Sequence, residues 1–358
     1  MTIYSLRVTS RKSDAPTTKN SRSAQHGAGA PWGKYIFRGL TIALVAVAGA
    51  VATSTTLSDQ NHEDPAHHSG NPPIYFPPRV APVVTPPLPG EGVWTGQDKW
   101  RRGPAAIMTT TFRTDVHNPS VVAYVAWIRT STTRLGLYLG YKGPGATPLD
   151  RGPEEIPLSG RPWLLGAFNS GFYEYDSKAG FFTHATTYFP MVKGLASVVE
   201  YANGTVDITN WTGGPTPPPN VLMARQNLHL LVDNSRVTPL VSSPDLQTVW
   251  GSTLHGVPTV WRTGIGIDRF GNLIYVAAPS QIPATLARIF VQLGCVRAMQ
   301  LDINPAWPIF VNYGGPRAAQ PSLFVPNSGQ VPDRFLYSST KDFFTIYAKT
   351  KALPHLPW

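Results

Sequence analysis

Residues 282–307 read IPATLARIFVQLGCVRAMQLDINPAW. The first part is apolar with a helical period, which predicts a helix over 282–296 packed against the rest of the fold. Ala298 to Leu301 then reads as a short buried strand. Pro305 ends it, because proline has no N–H to give a ladder. Asp302 and Asn304 thus stand where a strand stops, with Trp307 close behind. A carboxylate, a carboxamide and an indole are presented together, and loops held by a rigid scaffold are where binding groups usually sit. The competing reading of the same residues is a local Asx turn, in which Asp302 bonds its own backbone.

Outward from this unit the chain is mostly strand. Val121–Ile128 (VVAYVAWI), Leu135–Gly140 and Arg161–Phe168 read as buried strands. Leu195–Tyr201 and Thr205–Ile208 flank Asn203-Gly204, a pair suited to a tight turn with two positive-φ positions. Asn227–Val232 and Arg236–Pro239 read as a further hairpin, as do Gly264–Asp268 and Leu273–Ala277 around Phe270-Gly271-Asn272. Thr345–Ala348 is expected to close a sheet edge. The fold class is therefore α+β, a β-rich single globular domain with few helices.

Composition bounds the rest. The chain has 358 residues, only 14% of them charged, with 36 Pro and 32 Gly. The net charge of +10 is uneven. Residues 1–38 hold seven Lys or Arg and one acid, Asp14. Taking these from the 30 basic and 20 acidic residues leaves 23 and 19, a balance of +4. The basic excess belongs to the N-terminus, which disfavours nucleic acid as a partner and favours membrane topology. The single cysteine, Cys295, falls inside the expected helix and reads as a buried, inert thiol.

Residues 1–34 read as a disordered basic tail on the cytoplasmic side. Residues 35–57 contain LTIALVAVAGAVATSTTL (Leu40–Leu57), 18 residues without a charge, which reads as a transmembrane helix or uncleaved signal anchor. The alternative is a signal peptide cut near Ala52, after Ala50-Val51-Ala52. Either way the globular part is exported. Residues 58–90 form a Pro-rich spacer outside the membrane. His62, His67 and His68 lie in that spacer, where an unstructured cluster is weak grounds for a metal site. Residues 91–350 make the globular domain, and 351–358 a C-terminal tail.

Several polar residues follow apolar strands. They are Asn169, Arg262 before Gly264-Ile265-Gly266, and Asp302 with Asn304. Lys193 precedes Gly194, and His184 lies in a Gly/Phe-rich loop. An arginine fork beside a glycine-rich turn suits a phosphate or carboxylate. The plain alternative pairs Arg262 with a structural acid such as Asp268. No G-x-S-x-G, Walker A, H-E-x-x-H or zinc-type Cys/His spacing occurs. Asn203-Gly204-Thr205 and Asn210-Trp211-Thr212 match a glycosylation pattern short enough to arise by chance.

GAFNSGF (Gly166–Phe172), VKGLASVVEYANGTVDITNW (Val192–Trp211), RQNLHLLVDN (Arg225–Asn234), VWRTGIGID (Val260–Asp268) and AMQLDINPAW (Ala298–Trp307) occur in that order along the chain. Together they resemble the phosphodiester glycosidase family, whose animal members remove N-acetylglucosamine from a sugar phosphodiester. The pattern is most similar to the membrane-anchored actinobacterial branch. The resemblance spans roughly Gly92 to Lys349. It implies a hydrolase in which Asn169, Arg262 and Asp302 meet at one pocket as catalytic residues. Asn304, Lys193, Gly171, Gly264, Trp307 and His184 would then bind substrate. A second carboxylate would come from Asp268, Glu174 or Asp176. No cofactor is certain, though Asp302, Asn304 and backbone carbonyls are hard oxygen ligands suited to Ca²⁺. The implied partner is a cell-envelope glycan or sugar phosphodiester. Two departures stand out. Ser170 replaces a glycine, and Leu301-Asp302-Ile303-Asn304-Pro305 replaces the glycine-rich run after L-D. They leave a second expectation, a non-catalytic envelope module of the same fold that binds a glycan or protein partner.

Overall fold

The computed structural model describes residues 74–144, 152–327 and 329–351. The basic tail, the segment read as a membrane anchor, the first part of the spacer and residues 352–358 lie outside them. Among the described residues no helix is long and apolar enough to cross a membrane.

The helix of the opening stretch is Pro283–Gln292, shorter than the apolar period suggests. Gly294 takes φ +78°, a left-handed position that glycine occupies without strain and that stops the helix. The chain turns at once into the strand Cys295–Gln300. Cys295 is therefore the first residue of a strand and not part of the helix. It is fully buried, and burial pushes its thiol pKa up, as befits an inert side chain.

All strand pairing is antiparallel and falls into three sheets. The largest runs Thr95–Gly96, Ile107–Arg113, Val122–Ile128, Leu273–Gln281, Val260–Asp268, Cys295–Gln300, Leu230–Asp233, Arg236–Val237. A second runs Thr186–Phe189, Phe181–Thr183, Val221–Asn227, Ala196–Tyr201, Val206–Asn210. The third runs Pro321–Leu323, Phe310–Tyr313, Leu164–Asn169, Phe343–Ala348, Thr133–Tyr138. The final strand thus lies inside the third sheet, not at its edge. It pairs on both sides, Phe344 opposite Phe168 and Leu137. Six consecutive buried residues explain this, since a strand covered on both faces reads as a continuous apolar run.

The hairpins appear where the turn chemistry places them. Asn234 and Ser235 both take positive φ between Leu230–Asp233 and Arg236–Val237. At Asn203-Gly204 only Gly204 does so. The Asn203 carboxamide instead accepts hydrogen bonds from the Thr205 amide and hydroxyl. One core joins the three sheets through Ile128, Phe168, Val198, Ile265, Phe310 and Phe344. The other face of the large sheet packs on the helix, with Trp127, Val276, Phe290 and Cys295 buried between them. Removing a ring such as Phe290 from this layer would cost roughly 3–5 kcal/mol.

The packed chain also reaches back into the segment read as a spacer. Arg129 donates to the Tyr75 carbonyl and stacks on Phe76 and Trp127. The Glu91 carboxylate, buried, holds Arg113 through three side-chain hydrogen bonds, and that guanidinium pulls the Glu91 carboxyl down to about 2.

Candidate active site

A cleft of about 570 Å³ opens over the ends of the strands Cys295–Gln300 and Leu164–Asn169. Phe172, Tyr173, Tyr175 and Trp307 give it aromatic walls, and Asp302 and Lys341 line it as well. Asp302 gets there because the backbone pairing with Thr263 runs on past Gln300 through Leu301 and Asp302 before the chain turns at Asn304. The Thr263 hydroxyl donates to the Asp302 carbonyl at 2.7 Å, and the Asp302 amide donates to the Ser170 carbonyl at 3.2 Å. The backbone around the carboxylate is fixed at both ends.

Both readings of Asp302 hold in part. Its Oδ1 accepts the Asn304 amide at 2.8 Å, which is the Asx turn. Its Oδ2 forms an ion pair with the Lys341 ammonium. Asp302 is 2% exposed and Lys341 6%. Burial pushes the Asp302 carboxyl up, the Lys341 charge pulls it back down, and nearby Asp342 raises it again. The ammonium lies 4.2 Å from the Tyr173 ring centre and 5.4 Å from that of Trp307. Two aromatic faces therefore replace the water it loses, each contact worth about 0.5–2 kcal/mol.

A second ion pair lies beneath the first. Arg225 is fully buried and donates through Nε to Asp342 Oδ2 at 2.8 Å. Its other nitrogens donate to the Gln226 and Phe172 carbonyls. Arg225 thereby ties the 169–172 loop to the start of the final strand, where Lys341 and Asp342 stand.

Asn169 is drawn toward Asp302, but its side chain is used internally. Its Nδ2 donates to Thr263 Oγ1 at 2.9 Å and to the Ser170 carbonyl. Its Oδ1 accepts from the Tyr275 hydroxyl and the Ile309 amide. It positions the loop that carries the site and offers no free group to a ligand.

Arg262 does not join them. Strand alternation turns it to the helix face with Gly264 and Gly266, while Thr263 faces Asn169 and Asp302. Its Nε donates to the Gln281 carbonyl at 3.0 Å and its Nη1 to Gln300 Oε1 at 2.6 Å. It has no acid partner among the described residues, and burial lowers its pKa to about 10. The alternative partner Asp268 caps its own turn, accepting from the Phe270 and Asn272 amides.

The expected glycine-rich turn is a pleated strand. A Cβ on Gly264 would meet the Met299 carbonyl at 2.7 Å and the Phe290 ring at 2.8 Å. Gly264 serves close packing of helix on sheet, not ligand approach. Gly171 likewise lets the loop pass Asn227, whose side chain would stand 3.0 Å from an added Cβ. Lys193 is exposed in a turn away from the cleft. His184 sits at a positive φ of 53° in the tight hairpin after Phe181–Thr183, also away from the cleft, with its pKa lowered to about 4 by burial. Asn304 and Trp307 do line the cleft. Of the candidates for a second carboxylate, Asp176 lines it too, whereas Glu174 and Asp268 do not.

One Asp302 carboxylate oxygen holds an amide and the other an ammonium. Among the described residues no group of three or more His, Cys, Asp or Glu could hold a metal ion. Nothing local in the sequence marks Lys341, Asp342 or Tyr173 for the site, and Arg225 carries a signal only as part of the RQN motif.

No family model matches the chain, and no curated protein matches it. Among solved structures it is similar to the zebrafish N-acetylglucosamine-1-phosphodiester alpha-N-acetylglucosaminidase catalytic domain auto-inhibited by its pro-peptide. The TM-score is 0.47 and the identity 15%, over 72% of this chain and 88% of that one. A hypothetical protein from Synechocystis gives 0.41 and 12%, over 70% and 63%. A Burkholderia pseudomallei K96243 protein described as exported gives 0.32 and 13%, over 63% and 74%. At TM-scores below 0.5 these likenesses say nothing of what this chain does.

Proposed function

We propose that this chain is an exported hydrolase that cleaves a sugar-1-phosphodiester at the glycosidic bond. The observation that carries the reading is the buried Asp302–Lys341 pair in an aromatic-walled cleft. The ordered set of sequence motifs around it resembles phosphodiester glycosidases and supplies the substrate class. The uncharged run Leu40–Leu57 after a basic tail supports export, with the chain anchored by that run.

The chemistry follows from the groups present. The oxygen of a water molecule bonds to the anomeric carbon, and the bond from that carbon to the phosphate oxygen breaks. The leaving phosphomonoester takes the electron pair. Asp302, whose carboxyl is pushed up by burial, moves the proton between water and leaving group. Lys341, beside it, offsets the negative charge that gathers on the leaving phosphate, the role first expected of Arg262. Asp176 is the second carboxylate at hand. Trp307, Tyr173 and Tyr175 offer faces for a sugar ring.

The non-catalytic reading keeps one observation in its favour: half of the Asp302 carboxylate is bound to the Asn304 amide. A panel of sugar 1-(p-nitrophenyl phosphates) given to the full-length chain in detergent separates the two. Release of free sugar and p-nitrophenyl phosphate, lost in Asp302→Asn, supports the hydrolase. Calorimetric binding of a panel sugar without turnover supports the binding module.

A further inference from the structure

Among the described residues beside the cleft, Arg334 is a cation that no acid meets. It follows Asp333 at the start of a short turn of helix, Arg334–Leu336, and is half-buried. Its guanidinium lies over the Trp307 ring, 5.1 Å from the ring centre. Among the described residues its side chain makes no hydrogen bond and no ion pair, and the groups acting on its charge are the phenols of Tyr141 and Tyr173. A desolvated guanidinium that stacks on an indole but meets no acid is prepared for an anion that arrives from outside.

A second observation points to the same place. Arg334, Trp307, Lys341 and Ser170 line a recess of about 10 Å³ beside the cleft, room for about one water, and Trp307 and Lys341 line both. Ser170 is 1% exposed, and its hydroxyl has no partner. Two ion pairs lie nearby, Asp302 with Lys341 and Asp342 with Arg225, and neither reaches Arg334. Arg334 adds a positive charge that neither pair offsets, which suits the negative charge of a phosphodiester. Asp176, the other acid at the cleft, lies exposed on its outer wall.

We propose that Arg334, held over Trp307, is the anion-binding residue that selects a phosphodiester, with Lys341 beside it. The inference rests on the proposed function for the substrate's sugar but not for its anion. The planar fork takes two oxygens of the phosphate, and the indole fixes its orientation.

The test titrates the full-length protein with diphenyl phosphate, a phosphodiester monoanion without a sugar, and with neutral triphenyl phosphate. Calorimetry and tryptophan fluorescence are the readouts. Wild type is expected to bind the anion saturably. Arg334→Gln should weaken that binding at least tenfold with an unchanged melting curve, while Arg334→Lys, which keeps the charge but not the fork, falls between. Neutral ester binding should not change with either variant. Equal affinity for diphenyl phosphate in wild type and Arg334→Gln overturns the proposal, as does no anion binding by the wild type. Arg334-dependent binding without turnover of any sugar phosphodiester upholds this inference and sinks the hydrolase. Turnover with an Arg334→Gln variant that binds the anion normally does the reverse.

Discussion

Lys341 and Asp302 meet as a buried ion pair although 39 positions separate them, one standing before the last strand of the third sheet and the other after a central strand of the largest. The pair therefore joins two sheets at their ends, and its loss is a structural as well as a chemical event.

Lys341→Met should destabilise the protein by about 3–5 kcal/mol at neutral pH, because it leaves a buried carboxylate without its counter-charge. Adding Asp302→Asn to that variant should recover most of the loss, since no charge then remains to be compensated. Urea midpoints of the two single variants and the double variant check this. A Lys341→Met protein as stable as wild type would mean the pair is open to solvent.

Glu200 supplies a pH dependence away from the cleft. Burial raises its carboxyl from 4.5 to about 7, against the pull of Arg134 at 3.6 Å and of Lys349. The folded state holds this proton more tightly than the unfolded chain does. The stability it contributes is therefore full below pH 4.5 and is lost as pH rises through about 7. That difference is about 3 kcal/mol at one pKa unit per 1.36 kcal/mol. Wild type should lose stability relative to Glu200→Gln between pH 4.5 and pH 8. Parallel urea midpoints for the two proteins across this range would contradict the assignment.

Gly264→Ala separates packing from binding. The new methyl would press on Phe290 and the Met299 carbonyl, and overpacking of this kind costs about 1–3 kcal/mol. A lowered thermal midpoint is expected, with anion affinity retained in the folded fraction. Lost anion affinity at full stability would restore Gly264 to a binding role.

What the sequence tells and withholds follows the range of the interactions. The hairpin after Asp268 and the strand before Asp302 depend on neighbours a few residues away, and turn residues with apolar runs mark them. The strand end before Asp302 is legible for the same reason, because Pro305 marks it. Lys341 reaches the cleft, and Asp342 and Arg334 the recess beside it, only through the packing of distant segments, and nothing local marks a lysine that will be buried. Arg262 was misplaced by the pattern R-x-G-x-G, which suggests a phosphate loop. Strand alternation carried the correction: Arg262, Gly264 and Gly266 share a parity and hence a face, and the glycines face the helix. Thr345–Ala348 alone suggests an edge, but the strand begins at Phe343 and all six of its residues are buried.

The most direct test of the central claim is the product released from a sugar 1-(p-nitrophenyl phosphate) by the full-length chain, beside folded Asp302→Asn. The account predicts free sugar and p-nitrophenyl phosphate from wild type, and a fall of about 10²–10⁴-fold in the variant, the usual worth of a positioned acid–base group. Equal rates in the two proteins, or release of p-nitrophenolate in place of its phosphate, would contradict it.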